Sequence, residues 1–268
     1  MSDNIDIFVC AHKPIPFDYH LTNKSFKIIC CENDKVVEEG NHLDVDTIRI
    51  KSEISNIGFS EWQKFYYVWK YKYNDLKKYV GLMHYGRILD FGGDINELPD
   101  LDELFTKYDI VVGDVIDVGC VWAQYGSCHN IKDIDSVRKI IYEEYPDYKE
   151  AFDAVMAGNK LMISNTCILK KADFNNLCTF LFGVLFKWCH VNGINIRDNN
   201  SFFEYIDKDI EHYSKKHKKD DDTFREQARI PAFLAERLFT VWLAKNNMRA
   251  KVQPLRQLKE KDKPEGKE

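Results

Sequence analysis

The sequence predicts an α/β protein, with a mainly parallel central sheet covered by helices on both faces. Three observations lead there. Short runs rich in β-branched and aromatic residues, such as IDIFVC at 5–10, FKIICC at 26–31 and YVGLMH at 79–84, end in polar or Pro-containing turns. Longer stretches with helical spacing lie between them, and strands alternating with helices point to a parallel sheet. The chain has 268 residues, 44% hydrophobic and 30% charged. That is enough apolar side chain for a sizeable core without disulfides or a structural metal.

Taken in order, residues 5–10 read as a buried strand. The loop AHKPIPFD follows, with two prolines that cannot continue a central strand. Residues 26–31 form a second strand, and 41–58 read as a polar loop. Ser60 with Gln63 has the spacing of a capping box. The helix that follows places Phe65, Val68, Trp69 and Leu76 near one stripe. Residues 79–84 form a strand, 101–107 a short helix and 108–112 a strand. Helices are expected at 133–144, closed by Pro146, and at 147–158, stopped by Gly158. NKLMISNTCILKK reads as one or two strands, and 172–190 as a long apolar helix. Residues 194–229 are polar and charge-dense, a variable helical or loop insertion. Pro231 suits the first turn of an amphipathic helix over 231–246. The domain is expected to span 1–250, leaving 251–268 as a charged, disordered tail.

The 38 Lys and Arg against 43 Asp and Glu give a net charge of −5. This argues against a nucleic-acid binder, whose phosphate contacts need a basic surface. No apolar run reaches the roughly 18 residues of a membrane span. The start, MSDNIDIFVC, lacks the basic region and cleavage site of a secretory signal. The eight cysteines include no C-x-x-C pair and lie mostly in apolar stretches, so they read as small buried hydrophobes in a reducing cytoplasm.

Ligands of such sheets bind at the carboxyl ends of strands, which singles out the loops after Cys10, His84 and Val112. The first loop carries Ala11, His12 and Lys13, an anion site or a surface turn with a solvated lysine. It holds neither a dinucleotide fingerprint nor a P-loop. In the second, His84, Tyr85 and Arg87 stand at a loop mouth. Arg87 is suited to phosphate oxygens or to an ion pair with Asp90. In the third, Trp122, Gln124, Tyr125 and His129 mix aromatic and hydrogen-bonding groups, as sugar sites do; the alternative is a loop whose aromatics cap the core. Glu236 sits among Phe233, Leu234, Ala235 and Leu238, and an acid in an apolar helix needs a partner. It is either half of a structural pair with Arg237 or a carboxylate aimed at a cleft. KKHKKDDD at 215–222 reads as a solvated charge run.

These segments resemble a bacterial family of capsular and exopolysaccharide glycosyltransferases, long catalogued only as a domain of unknown function. The resemblance rests on IDIFVCAHKPIP, FSEWQKFYYVWKY, YVGLMHYGRILDF, the stretch from QYGSCHNIKDID to NKLMISNTCILKKADF, and AFLAERLFTVWLAKN, in that order. It spans roughly residues 5–247. Family members usually carry H-Y-R-R where this chain has His84, Tyr85, Gly86 and Arg87, so Gly86 is a departure at the donor pocket.

The resemblance implies a GT-A-like, Rossmann-related single domain and transfer of a sugar from a nucleotide-sugar, a UDP-hexose or UDP-galactofuranose type, to a growing lipid-linked polysaccharide. It implies donor contacts from Ala11, His12, Lys13, His84, Tyr85 and Arg87, and sugar or acceptor contacts from Trp122, Gln124, Tyr125, His129 and Asn165. No Asp-x-Asp stands at the strand end. Either His84 helps hold Mn²⁺ or Mg²⁺, a His ligand favouring manganese, or Lys13 and Arg87 neutralise the diphosphate without a metal. An inverting transfer needs a carboxylate base, for which Glu236 is the first candidate and Asp114 the second. A lipid-linked acceptor without a membrane span implies peripheral contact at the inner leaflet, through 215–219 and the tail. The alternative reading is a non-catalytic nucleotide- or carbohydrate-binding protein of the same fold.

Overall fold

A computed structural model describes residues 4–13, 21–36, 44–209, 213 and 221–258. Strand β1 (Ile5–Cys10) is buried along its whole length because it pairs in parallel on both sides, with β2 (Phe26–Cys31) and β4 (Tyr79–His84). β3 (Asp46–Ile50) adds in parallel to β2. On the other side β9 (Cys167–Lys170) runs antiparallel to β4, β6 (Ile110–Val112) antiparallel to β9, and β10 (Ala250–Val252) parallel to β6. The order is β10-β6-β9-β4-β1-β2-β3. β5 (Arg87–Leu89) hairpins back from β4 and is joined by β11 (Leu255–Gln257). A separate antiparallel pair joins β7 (Val115–Asp117) to β8 (Lys160–Met162). Since β1, β2, β4 and β6 point the same way, the loops after Cys10, His84 and Val112 open on one edge, as the strand rule requires.

Alternation along each strand divides the core in two. Phe8, Cys10, Ile29, Val80 and Leu82 face the larger layer with α5 (Ile131–Glu144), α6 (Lys149–Ala157), α7 (Lys171–Val191) and α10 (Ile230–Lys245). Ile7, Val9, Ile28 and Met83 face Leu101 and Phe105 of α3 (Leu101–Lys107) on the opposite face. Each fully buried large apolar side chain contributes about 1.5–3 kcal/mol, and the large layer holds Trp62, Trp188 and Trp242, each almost wholly buried. All eight cysteines are free, and Cys10, Cys30, Cys167, Cys178 and Cys189 are buried, as small hydrophobes should be. Among the described residues no helix is long and apolar enough to cross a membrane.

Four local expectations are corrected. The stretch read as a loop over 41–58 contains β3, an edge strand with Asp46, Thr47 and Arg49 on it; residues 41–43 lie outside the described ones. Its polar residues are the usual protection of a sheet edge and hide the strand period. The tail expected from 251 instead supplies β10 and β11, and the buried Leu258 donates its N–H to Gly86 O at 2.9 Å. Residues 259–268 lie outside the described ones. The capping residue is Ser55, whose Oγ accepts the Gly58 N–H, for α1 (Asn56–Phe59); Ser60, at φ 48°, breaks the chain before α2 (Trp62–Tyr67). The helical path then continues through a π-turn over Val68–Lys72. Residues 121–128, read as a loop, form α4 (Val121–Cys128).

The charge-dense 194–229 segment is tied to the core by α8 (Asn199–Asp207). Phe202 lies so close over Gly58 that a Cβ there would meet its ring at 2.3 Å. A short helix, α9 (Asp221–Glu226), precedes α10. Most of the 215–222 charge run lies outside the described residues.

Candidate active site

The site forms where α2, the end of β4, the β8–β9 loop and α10 meet at the carboxyl edge of the sheet. His84 ends β4, and the tight turn into β5 brings the Gly86 N–H to its Nδ1 at 3.0 Å. With Nδ1 accepting, Nε2 carries the ring proton and lies 3.3 Å from Glu61 Oε1. The other Glu61 oxygen accepts from Asn165 Nδ2 at 3.1 Å. Burial pushes the His84 imidazole down to about 4, against the attraction of Glu61, and Arg87, His12 and Lys64 push it the same way. The ring is therefore neutral at pH 7. His12 packs edge-on against Tyr85 with ring centroids 4.9 Å apart.

Glu236 projects from α10. Its side chain is 25% exposed, while the adjacent Arg237 is 3% exposed. Arg237 Nη1 donates to Glu236 Oε2 at 2.8 Å and to Phe233 O at 2.9 Å, and its Nη2 donates to Gln124 Oε1 at 2.6 Å. Burial pushes the Glu236 carboxyl up to about 7; Glu61 adds to the rise, and Arg237, Arg87 and Arg229 oppose it. Glu236 thus shares one field with Glu61 and Arg87, residues that lie far from it in sequence. A carboxylate poised near neutrality, with a quarter of its surface open, can accept a proton from an incoming hydroxyl.

Beside these groups lies a cleft of about 560 Å³, lined among others by His12, Ser60, Glu61, Lys64, Phe203 and Arg229. Arg229 donates to Ser60 Oγ at 3.1 Å, and the Arg225 guanidinium lies 4.9 Å from the Phe203 ring centroid.

Residues 6–206 match the profile of a domain of unknown function, DUF4422. The chain belongs to the DUF4422 family. Among solved structures it is similar to WbbM, a bifunctional glycosyltransferase in its apo form. The TM-score is 0.69 at 19% identity, over 96% of this chain and 45% of that one. At that identity the likeness establishes the fold, a GT-A-like mixed α/β architecture, and the chain spans less than half the length of WbbM. No curated protein sequence matches it significantly. The DUF4422 match includes Glu61, Lys64, His84, Arg87 and Asn165, whereas Arg229, Glu236 and Arg237 lie beyond its end.

Within this DUF4422 chain, His12, His84, Tyr85 and Arg87 gather at the expected edge. Arg87 does not pair with Asp90, which pairs with Arg256 of β11; among the described residues its guanidinium has no hydrogen-bond or ion-pair partner. Lys13 is exposed at the same edge. Ala11, expected at the donor, is 1% exposed and packs in the α3 face, its N–H held by Ile29 O. Gly86 has no positive φ, and a Cβ there would stand 3.4 Å from His84 Nδ1. A side chain at 86 would add van der Waals contact to the edge that the Gly86 N–H already meets.

The set expected to meet sugar is dispersed by the helical geometry of α4. Tyr125 is wholly buried beneath the Arg237 guanidinium, so it is a core residue. Gln124 is spent on Arg237. His129 contacts Gln227 Oε1 at 3.1 Å and stacks on Phe233. Trp122 faces a second hollow of about 410 Å³ with Arg138 and Asp153. Asn165 orients Glu61. Asp114 is exposed and is not among the charges that act on Glu236.

The His84 lone pair at Nδ1 takes the Gly86 N–H, and Nε2 bears a proton toward Glu61. Among the described residues no group of three or more His, Cys, Asp or Glu side chains is arranged to hold a metal.

Sequence reasoning missed Glu61, Lys64 and Arg229. Glu61 follows Ser60 at a helix start, where an acid is ordinary, so nothing marked it.

Proposed function

We propose that this protein is a glycosyltransferase that moves a sugar from a nucleotide-sugar, a UDP-hexose or UDP-galactofuranose type, to a hydroxyl of a growing capsular or exopolysaccharide acceptor. The observation that carries the reading is Glu236: a partly exposed carboxyl held near neutrality beside an Arg-bearing cleft at the strand ends. The WbbM-like fold supports it.

In this reading Glu236 takes the proton of the acceptor hydroxyl. That oxygen attacks the anomeric carbon from the face opposite the nucleotide, with inversion. The bond from the anomeric carbon to the β-phosphate oxygen breaks, and the nucleoside diphosphate leaves with the electron pair. Arg87 and Arg229 meet its growing charge, a stabilisation that is strong where water is scarce. Neutral His84 and Asn165 hold Glu61, whose negative charge helps to keep Glu236 basic enough. An acceptor carried on a lipid brings the protein to the inner leaflet as a peripheral partner.

The test is to incubate purified protein with a panel of nucleotide-sugars, with and without Mn²⁺, and to follow release of the nucleoside diphosphate. Slow hydrolysis of one donor is expected. UDP binding with no turnover of any donor, in the presence of lipid-linked acceptors, would favour a non-catalytic binding protein.

A further inference from the structure

Lys64 differs from every other cation of the cleft in what surrounds it. It is 5% exposed and lines the cleft, yet its ammonium makes no hydrogen bond or ion pair with any described residue. Two carboxylates of the cleft have other partners. Asp34 Oδ2 accepts the Cys31 N–H at 2.8 Å, and Glu61 is divided between Asn165 and His84. Gln63, 3% exposed and lining the same cleft, also leaves its Oε1 without a partner. The Lys64 side chain is largely enclosed and lines the open cleft, where an ammonium without a protein partner favours a counter-ion.

The charge of Lys64 acts on Cys10, Cys31, His12 and His84, which places it under the carboxyl ends of β1, β2 and β4. Arg229 lines the same cleft and uses one N–H group on Ser60, leaving other donors of its fork for a ligand.

We propose that Lys64, with Arg229 as a second arm, binds a phosphate oxyanion, and that this phosphate belongs to the diphosphate of the donor. The second half rests on the nucleotide-sugar reading above. A compact oxyanion supplies the missing partner of Lys64, and a diphosphate is long enough to engage the guanidinium as well. The cleft also holds Asp34, Glu61 and Glu226, so it selects a group that reaches Lys64 rather than any anion near its mouth.

The experiment uses the full chain and its K64M variant, which keeps the length of the side chain and removes the charge. Binding of UDP, inorganic pyrophosphate and a UDP-hexose is measured by calorimetry, and the melting temperature is read without ligand. K64M should melt no lower than wild type when empty, because the charge has no partner among the described residues and the methionine keeps the packing of the enclosed stem. Its affinity for UDP and for pyrophosphate should fall about ten- to hundredfold. Equal affinities in the two proteins, failure of wild type to bind any of the phosphates, or an unfolded or much less stable K64M would overturn the proposal. Lys64-dependent pyrophosphate binding without turnover of any nucleotide-sugar keeps the anion site and removes the transferase reading. Turnover unaffected by K64M does the reverse.

Discussion

Burial pushes the carboxyls of Asp133 and Glu236 up to about 7, yet the two sit in opposite surroundings. Asp133, on α5, is wholly buried and closed in by tyrosines: Tyr205 donates to Oδ1 at 3.0 Å and Tyr213 to Oδ2 at 2.9 Å. It fastens the charge-dense segment after residue 194 to the core. Glu236 keeps a quarter of its side chain open and faces arginines and a second carboxylate. A displaced acidity therefore does not mark a reactive group by itself. Access for a proton donor and a neighbouring place for substrate are needed as well.

The sharpest way to break the comparison is to remove each carboxylate and see which loses activity. Glu236→Gln keeps the shape and removes the proposed base, and should lower kcat by about 10²–10⁴ with donor binding nearly intact. In the wild type kcat/KM should rise with pH through about 7, the acidity of Glu236, and the variant should lose that limb. Normal turnover by the variant would place the base elsewhere.

Asp133→Ala should act on stability instead. It strands the buried Tyr213 hydroxyl, leaves half-buried Tyr205 only its long bond to Asn192, and should cost about 2–4 kcal/mol, seen as a lower urea midpoint. A midpoint equal to wild type would mean that the tyrosine network holds nothing.

Arg87→Ala touches neither carboxyl directly and should weaken UDP binding by about 1.5–3 kcal/mol. Calorimetry on the folded variant decides it, and unchanged affinity removes Arg87 from the donor site.

The last expected effect is on the pH dependence of folding. Unfolded, the two carboxyls ionise at ordinary values of 3.8 and 4.5; folded, both hold their protons to about 7. The unfolded state thus binds fewer protons between about 4 and 7. Stability from these groups is greatest below that window, falls as pH rises through it, and is flat above. Asp133→Asn and Glu236→Gln should each flatten part of the slope in urea titrations. A slope equally steep in the double variant would show that other groups set it.

Much of the frame was legible in the sequence, and the reasons differ by element. β1 and β4 were visible because central strands bury both faces and read as continuous apolar runs. β3, β10 and β11 were not, because edge strands carry polar residues and take their pairing from partners that local pattern cannot name. At the site, Glu236 was visible as an acid in an apolar helix. Glu61 and Lys64 looked like ordinary members of a charged helix start. The α4 residues misled because aromatic and polar groups suggested a sugar site, whereas helical geometry sent Tyr125 into the core and Trp122 to another hollow.

By itself the sequence determined what depends on near neighbours: the strand runs, the stop at Gly158, Pro231 in the first turn of α10, the unpaired cysteines and the edge on which the strand loops open. Only the tertiary structure decided which charges meet. Glu61 finds His84 and Asn165, Arg237 finds Gln124, and Lys64 has no hydrogen-bond or ion-pair partner among the described residues. Coulomb energies and desolvation depend on distance in space, and these residues come together from segments as much as about a hundred positions apart only once the sheet has set the register of its strands.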